Sequence, residues 1–206
     1  MKHSKPQFRL GLVEPCIPTP AKKIPDGPMW VHELKHDGYR LIVKKIGDHV
    51  RLFTRGGYDW TDRYPRIVQA VAKFRVKSFV IDGEAVICDR KGRADFAKLH
   101  TRVFDDEATL YAFDLMELEG TDWAIKPLVE RKARLAKLLK HAKGLHYNPH
   151  FEGDGAIIFK HACKLGLEGI VSKRGDLPYR PGPSKSWLKT KNPKSPAMLR
   201  VKEGTF

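Results

Sequence analysis

Cysteine is sparse in this chain, and the three present, Cys16, Cys88 and Cys163, are odd in number, widely scattered and free of any Cys-x-x-Cys spacing. That distribution supports neither a zinc site nor a disulfide framework. No apolar run approaches the ~20 residues of a membrane helix, and no basic amphipathic helix stands alone. Residues 1–11 are polar and basic and lack the apolar centre of a secretory signal. The expected compartment is a reducing cytoplasm, with no membrane partner. Internal repeats, low-complexity tracts and a linker-like break in composition are also missing. The 206 residues are therefore expected to form one domain, with residues 1–28 as an extended arm and enough length for a sizeable core.

Acidic residues are also in short supply. Lys and Arg number 39 against 24 Asp and Glu, a formal charge of +15, and the basic residues crowd the C-terminal third. Such an excess favours a polyanionic partner, bound with a steep dependence on salt.

The coarse pattern predicts an α+β chain. Five prolines interrupt residues 14–28, which read as an extended segment. Residues 30–35, 39–46 and 49–54 read as three strands of a meander, turning at Asp37-Gly38 and Gly47-Asp48. A helix is expected over 64–74, with Pro65 in its first turn. Short strands at 79–81 and 85–88 flank Asp82-Gly83-Glu84; a short helix at 94–102 and a buried strand at 109–115 follow. Residues 128–141 carry a stripe of Leu128, Leu135, Leu138 and Leu139, with Lys and Arg on a solvated opposite face. A helix over 152–165 closes at Gly166, a strand runs from 169 to 172, and residues 179–185 form a mobile loop. Strands at 187–191 and 198–201 finish the chain.

Lys35, in Lys35-His36-Asp37-Gly38, sits at the end of the first strand, facing a pocket. A Lys-x-Asp-Gly tetrapeptide taken alone is most often a solvated turn. A lysine of ordinary pKa, about 10.4, is only ~0.04% neutral at pH 7, so a nucleophilic lysine needs neighbouring cations or a metal. Lys173, Lys189 and Lys191 are the candidates downstream.

In order along the chain come Lys35-His36-Asp37-Gly38, Asp82-Gly83-Glu84, Phe113-Asp114, Glu168-Gly169-Ile170-Val171-Ser172-Lys173 and Trp187-Leu188-Lys189-Thr190-Lys191. This series resembles the motifs of the covalent nucleotidyltransferases: ATP-dependent DNA ligases, RNA ligases and capping guanylyltransferases. Arg55-Gly56-Gly57-Tyr58-Asp59-Trp60-Thr61 and the run from Leu165 to Arg174 look most like the ligase domain of bacterial multifunctional end-joining DNA ligases. The fold implied is an ATP-grasp-like nucleotidyltransferase domain of antiparallel β-sheets flanked by helices. Phe206 follows Lys191 too closely for the C-terminal oligonucleotide-binding barrel usual in the family.

The resemblance implies that Lys35 takes AMP from ATP as a covalent lysyl-AMP, and that Lys173, Lys189 and Lys191 hold the α-phosphate. It also implies that Arg40 and Arg55 contact the nucleotide and the nick phosphate, while Glu84 and Glu168 serve the ribose and a Mg²⁺ or Mn²⁺ ion. Phe113 and Val171 enclose the adenine, and Glu33 shares a strand face with Lys35. Asp37 and Gly38 are architectural. The implied partners are nicked or broken double-stranded DNA and a Ku-type end-binding protein or repair polymerase, for a monomer near the bacterial nucleoid. An RNA ligase, a capping-type enzyme and a non-catalytic nick- or end-binding module are the alternatives.

Overall fold

In the computed structural model residues 14–203 are described, and they build two sheets with helices packed outside them. The first half of the expected arm, residues 1–13, lies outside the described residues. Its second half contributes β1 (Cys16–Pro20), a strand at the sheet edge, where prolines cost no ladder hydrogen bond.

The first sheet has the order β1, β11 (Gly182–Lys191), β10 (Gly169–Arg174), β2 (Trp30–Lys35), β9 (His150–Phe151). The second contains β4 (His49–Thr54), β3 (Tyr39–Ile46), β5 (Ser78–Val86), β6 (Thr109–Leu118) and β7 (Thr121–Asp122), with β8 (Leu145–Tyr147) also paired to β6. Neighbouring strands are antiparallel except β1 with β11 and β6 with β8.

The expected meander is corrected here. β3 pairs with β4, but β2 pairs with β10 and β9 in the other sheet. Residues 36–38 carry the chain across. A β-carbon at Gly38 would lie 2.2 Å from the Ala85 carbonyl oxygen, so only glycine lets the crossing press so closely on β5. Lys35 thus stands at the seam between the sheets.

Both faces of the second sheet are buried. Along β3, Leu41 and Val43 face a large core shared with α1 (Pro65–Ala72) and α3 (Leu128–Leu139). Ile42 points the other way, into a smaller cluster with Cys16, Val80, Met116, Tyr179 and Trp187 that joins the two sheets. The alternation follows from the two-residue period of a strand.

Three other expectations change. Strand β5 runs unbroken through Asp82-Gly83-Glu84, the bend being absorbed as register shifts against β6. The loop expected over 179–185 is strand from Gly182, because β1 supplies a ladder partner from Cys16 onward. Residues 198–201 belong to α5 (Pro196–Glu203) rather than a strand. Ser195 accepts from the amides of Met198 and Leu199, and Pro196 suits a first helical turn. The remaining helices, α2 (Phe96–Thr101) and α4 (Gly155–Lys164), fall within their expected spans and are capped by Asp95 and Asp154. No described helix is long and apolar enough to cross a membrane.

Candidate active site

Strand pairing sorts the site into rows. Lys35, Gly169 and Lys191 lie side by side on β2, β10 and β11; Glu33, Val171 and Lys189 form the next row; Val31, Lys173 and Trp187 the third. Alternate residues share a strand face. Lysine spacing along β11 and the Val171-x-Lys173 spacing along β10 therefore aim those side chains at one cavity of about 530 Å³. The second sheet closes it with Arg40, Glu84 and Phe113, and the loop after β4 adds Arg55 and Tyr58.

At the first row, Lys35 Nζ donates to Glu168 Oε2 at 2.6 Å, and Lys191 Nζ lies 3.4 Å from Glu168 Oε1. Glu168 reaches them because Gly169 adopts φ +142°, where a β-carbon would meet the Thr190 carbonyl oxygen at 2.1 Å. In the middle row Lys189 has its pKa lowered, first by burial and then by the charges of Lys191, Lys35 and Arg55.

The far end is aromatic and more deeply buried. Lys173 lies 3.9 Å from the Trp187 ring centre and 4.4 Å from that of Phe113, and it donates to Glu33 Oε2 at 2.7 Å. The second Glu33 oxygen lies 2.8 Å from Lys132 Nζ of α3. Burial pushes Glu33 upward, but the Lys132 and Lys173 charges outweigh it and hold the carboxyl below its ordinary pKa. Lys173 is thus four residues along β10 from Gly169, about 13 Å from the Lys35 row at ~3.3 Å per residue. Its ammonium is engaged by Glu33 and the two rings, while it lines the same cavity as Lys35.

Arg40 lines the cavity, but its fork is largely taken. It grips Asp82 at 2.9 and 2.5 Å and the Cys16 carbonyl at 2.6 Å. Burial opposes its charge, and the Asp82 carboxylate outweighs burial and raises its pKa. Arg55 is exposed at the cavity mouth.

Glu84 reaches the cavity, and none of the described residues hydrogen-bonds or ion-pairs with its carboxylate closely. Burial pushes its pKa up to about 7, against the pull of Lys35 and Arg40. Among the described residues no cluster of three or more His, Cys, Asp or Glu is arranged around a metal position. Glu84 lines the cavity and Glu168 stands beside it, in a neighbouring pocket with Lys35 and Asp37, and two such carboxylates fit an ion which keeps most of its waters and takes the rest of its shell from phosphates.

Asp37, expected to be architectural, ion-pairs with Arg200 of α5. The sequence reading missed Lys132, Arg131 and Asn148. Arg131 and Lys132 are wholly buried rather than part of a solvated face. Arg131 is clasped by Asp114 at 2.7 and 2.8 Å, which anchors the strand carrying Phe113. Asn148 donates weakly to Glu33 and to the Leu34 carbonyl.

Residues 15–191 match the family model described as ATP dependent DNA ligase domain. The multifunctional non-homologous end joining protein LigD of Pseudomonas aeruginosa is 41% identical over 168 residues, covering 79% of this chain and 20% of that protein. The crystal structure of the ligase domain of Mycobacterium tuberculosis LigD superposes with a TM-score of 0.75 at 33% identity, covering 87% of this chain and 60% of that one. A mycobacterial DNA ligase D complexed with ATP and MES gives a TM-score of 0.72, again at 33% identity with 87% of this chain and 60% of that one covered. This chain therefore spans about a fifth of the Pseudomonas protein's length. The match over nearly all of the described residues makes the chain a member of the ATP-dependent DNA ligase domain family.

Proposed function

We propose that the chain is the adenylation domain of an ATP-dependent DNA ligase and that Lys35 is its nucleophile. The observation that carries this is the row arrangement: an amine among cations at one end of a cavity, the buried Glu33 carboxylate one row, about 7 Å, along the strands, and the Lys173 and Trp187 row about 13 Å along them, a nucleotide-sized span.

In this reading the adenine enters between Phe113 and Val171, with Glu33 at its edge. Lys189 and Lys191 hold the α-phosphate, and Arg55 at the mouth takes the outer phosphates or the phosphate of a nick. Lys35 Nζ attacks the α-phosphorus. A nitrogen–phosphorus bond forms, the bond to the β-phosphate oxygen breaks, and pyrophosphate and one proton leave. Glu168 orients the amine, so that attack starts from a held geometry. A Mg²⁺ or Mn²⁺ ion held by Glu84 and Glu168 would supply charge neutralisation on the phosphates. The 5′-phosphate of a DNA break then takes AMP from Lys35, and the 3′-hydroxyl displaces AMP to seal the strand.

Relatives named for non-homologous end joining support broken duplex DNA as the substrate. A Ku-type end-binding protein or a repair polymerase is the partner this reading expects, for a monomeric chain in the bacterial cytoplasm. The test is incubation with α-labelled ATP and a divalent metal, followed by addition of nicked DNA or RNA duplexes, with GTP compared in parallel. The expected result is a protein-bound label that alkali spares and acid releases, as a phosphoramidate does, formed from ATP and discharged by DNA nicks. A label absent from both the wild type and Lys35→Ala would replace this reading with a nick- or end-binding module.

A further inference from the structure

The helices outside the second sheet carry a concentration of cations that the cavity does not use. No acidic residue occurs between Asp62 and Asp82, or between Glu130 and Glu152. The first of these tracts contains α1, with Arg66 and Lys73 exposed about two turns apart on one face. The second contains most of α3, with Arg134 and Lys137 exposed on it, Lys140 at its C-cap and Lys143 just beyond. The fold sets the two tracts side by side: a β-carbon added at Gly144 would lie 3.2 Å from that of Ala70. Inside the site, Lys35, Arg40, Lys173 and Lys191 each hold a carboxylate. Among the described residues none of the six outer cations does, and Arg66 meets only the Glu107 carbonyl, at 3.5 Å.

Helix dipoles do not account for them. A helix C-terminus favours Lys137 and Lys140, but Arg66 stands in the first turn of α1, where the dipole opposes it. Unneutralised charges set together repel one another, and a polyanion relieves that repulsion by laying its phosphates along them. The second sheet separates this face from the nucleotide. Leu41 and Val43 point to the core shared with α1 and α3, whereas Arg40, their neighbour on β3, points into the cavity. None of the six cations lines either cavity. We propose that the exposed face of α1 and α3 is a second DNA site, which grips the phosphate backbone of one duplex while the cavity engages another. The proposal goes beyond the adenylation reading, since it needs neither a nucleotide nor Lys35. Membership of a DNA ligase family favours DNA as the occupant. So does the lack of any large exposed apolar side chain in the two tracts, because protein interfaces centre on apolar or aromatic anchors. A single duplex reaching both faces must bend round the sheet at an elastic cost, whereas a second duplex meets the patch unbent.

The experiment mixes the protein, at low salt and without nucleotide, with a nicked duplex carrying one dye and an intact duplex carrying another. Two-colour sedimentation velocity then gives the mass and composition of the complexes. The wild type should carry both dyes at the mass of one chain with two duplexes. The combined variant Lys137→Gln, Lys140→Gln, Lys143→Gln should keep the nicked duplex and lose the intact one. Lys140→Gln alone should reduce the slope of log affinity against log salt for the intact duplex by about 1, uniformly across sequences, as loss of one phosphate contact does. Adenylation from ATP should be unchanged in every variant.

A wild type that never carries more than one duplex, or that does so only as two chains, would overturn the proposal. So would a combined variant that still carries both duplexes, which would leave the face to an acidic protein. A variant that loses both duplexes together would make the patch part of a single DNA site and overturn it as well. If the combined variant fails to fold, Arg66→Gln with Lys73→Gln on α1 carries the same test with the same expected loss. Absence of adenylate in the wild type would strike at the adenylation reading alone, and the stoichiometry would still decide the role of this face.

Discussion

Lys35 Nζ and Glu168 Oε2 lie 2.6 Å apart across the β2–β10 pairing, with Lys191 on the other oxygen of the same carboxylate. One side chain thus orients the proposed nucleophile and keeps two ammonium groups from repelling each other. Hydrogen bonds to charged groups contribute roughly 1.5–3 kcal/mol, so Glu168→Ala should slow single-turnover adenylation by about ten- to a hundredfold. A thermal melt should change little, because Lys35 and Lys191 can both reach solvent. An unchanged adenylation rate would remove Glu168 from the proposed chemistry.

Glu84 sets a pH dependence of stability. Its carboxyl is raised from 4.5 to about 7, by burial above all. The folded protein therefore binds the proton more tightly than the unfolded chain does. Wild-type stability should fall as pH rises from about 4.5 to about 7, and Glu84→Gln should escape that loss. Urea unfolding without divalent metal should give the two proteins similar stability near pH 4.5. Above pH 7 the variant should be ahead by on the order of 1–3 kcal/mol, allowing for partial solvent access to Glu84. A difference independent of pH would contradict the assignment.

Asp114 and Arg131 are both wholly buried and bonded to each other twice. Breaking such a pair leaves an uncompensated charge in the core, at a cost of about 3–5 kcal/mol. Asp114→Ala should lower the urea midpoint accordingly. Asp114→Leu combined with Arg131→Met should recover most of the loss, since an apolar pair replaces a buried ion pair at little cost.

Gly169 and Gly166 both have positive φ, yet only one is crowded. Around Gly166 a β-carbon would meet nothing within 4 Å, whereas at Gly169 it would press on the Thr190 carbonyl. Gly166→Ala should cost about 1 kcal/mol of left-handed strain and leave adenylation intact. Gly169→Ala must part β10 from β11 beside Glu168. It should cost more than about 2 kcal/mol and slow adenylation at least about tenfold.

Much of this site was legible in the sequence because strand periodicity is strict. The spacings of Glu33 to Lys35, Val171 to Lys173 and Lys189 to Lys191 put each pair on one face, and the structure brings these residues with Glu84, Arg40, Arg55 and Phe113 around one cavity. What was not legible depended on which strand lies beside which. Hydrophobic pattern alone does not distinguish a meander from a chain that changes sheets after Lys35. The distance of Lys173 from Lys35 follows only from the register of β10 on β2. Lys132 and Arg131 looked like part of a solvated face because of their charge, although they stand three and four residues after Leu128, within its buried stripe. Their partners, Glu33 and Asp114, are remote in sequence and carry no local signal.

The central claim is that Lys35 forms a covalent bond to AMP. Tandem mass spectrometry of the protein after incubation with ATP and Mg²⁺, with digestion kept away from acid, should find the adenylate on the Lys35 side chain and on no other lysine. The same treatment of Lys35→Arg should give none. An adenylate on Lys173, Lys189 or Lys191, or no adduct in the wild type, would contradict the account.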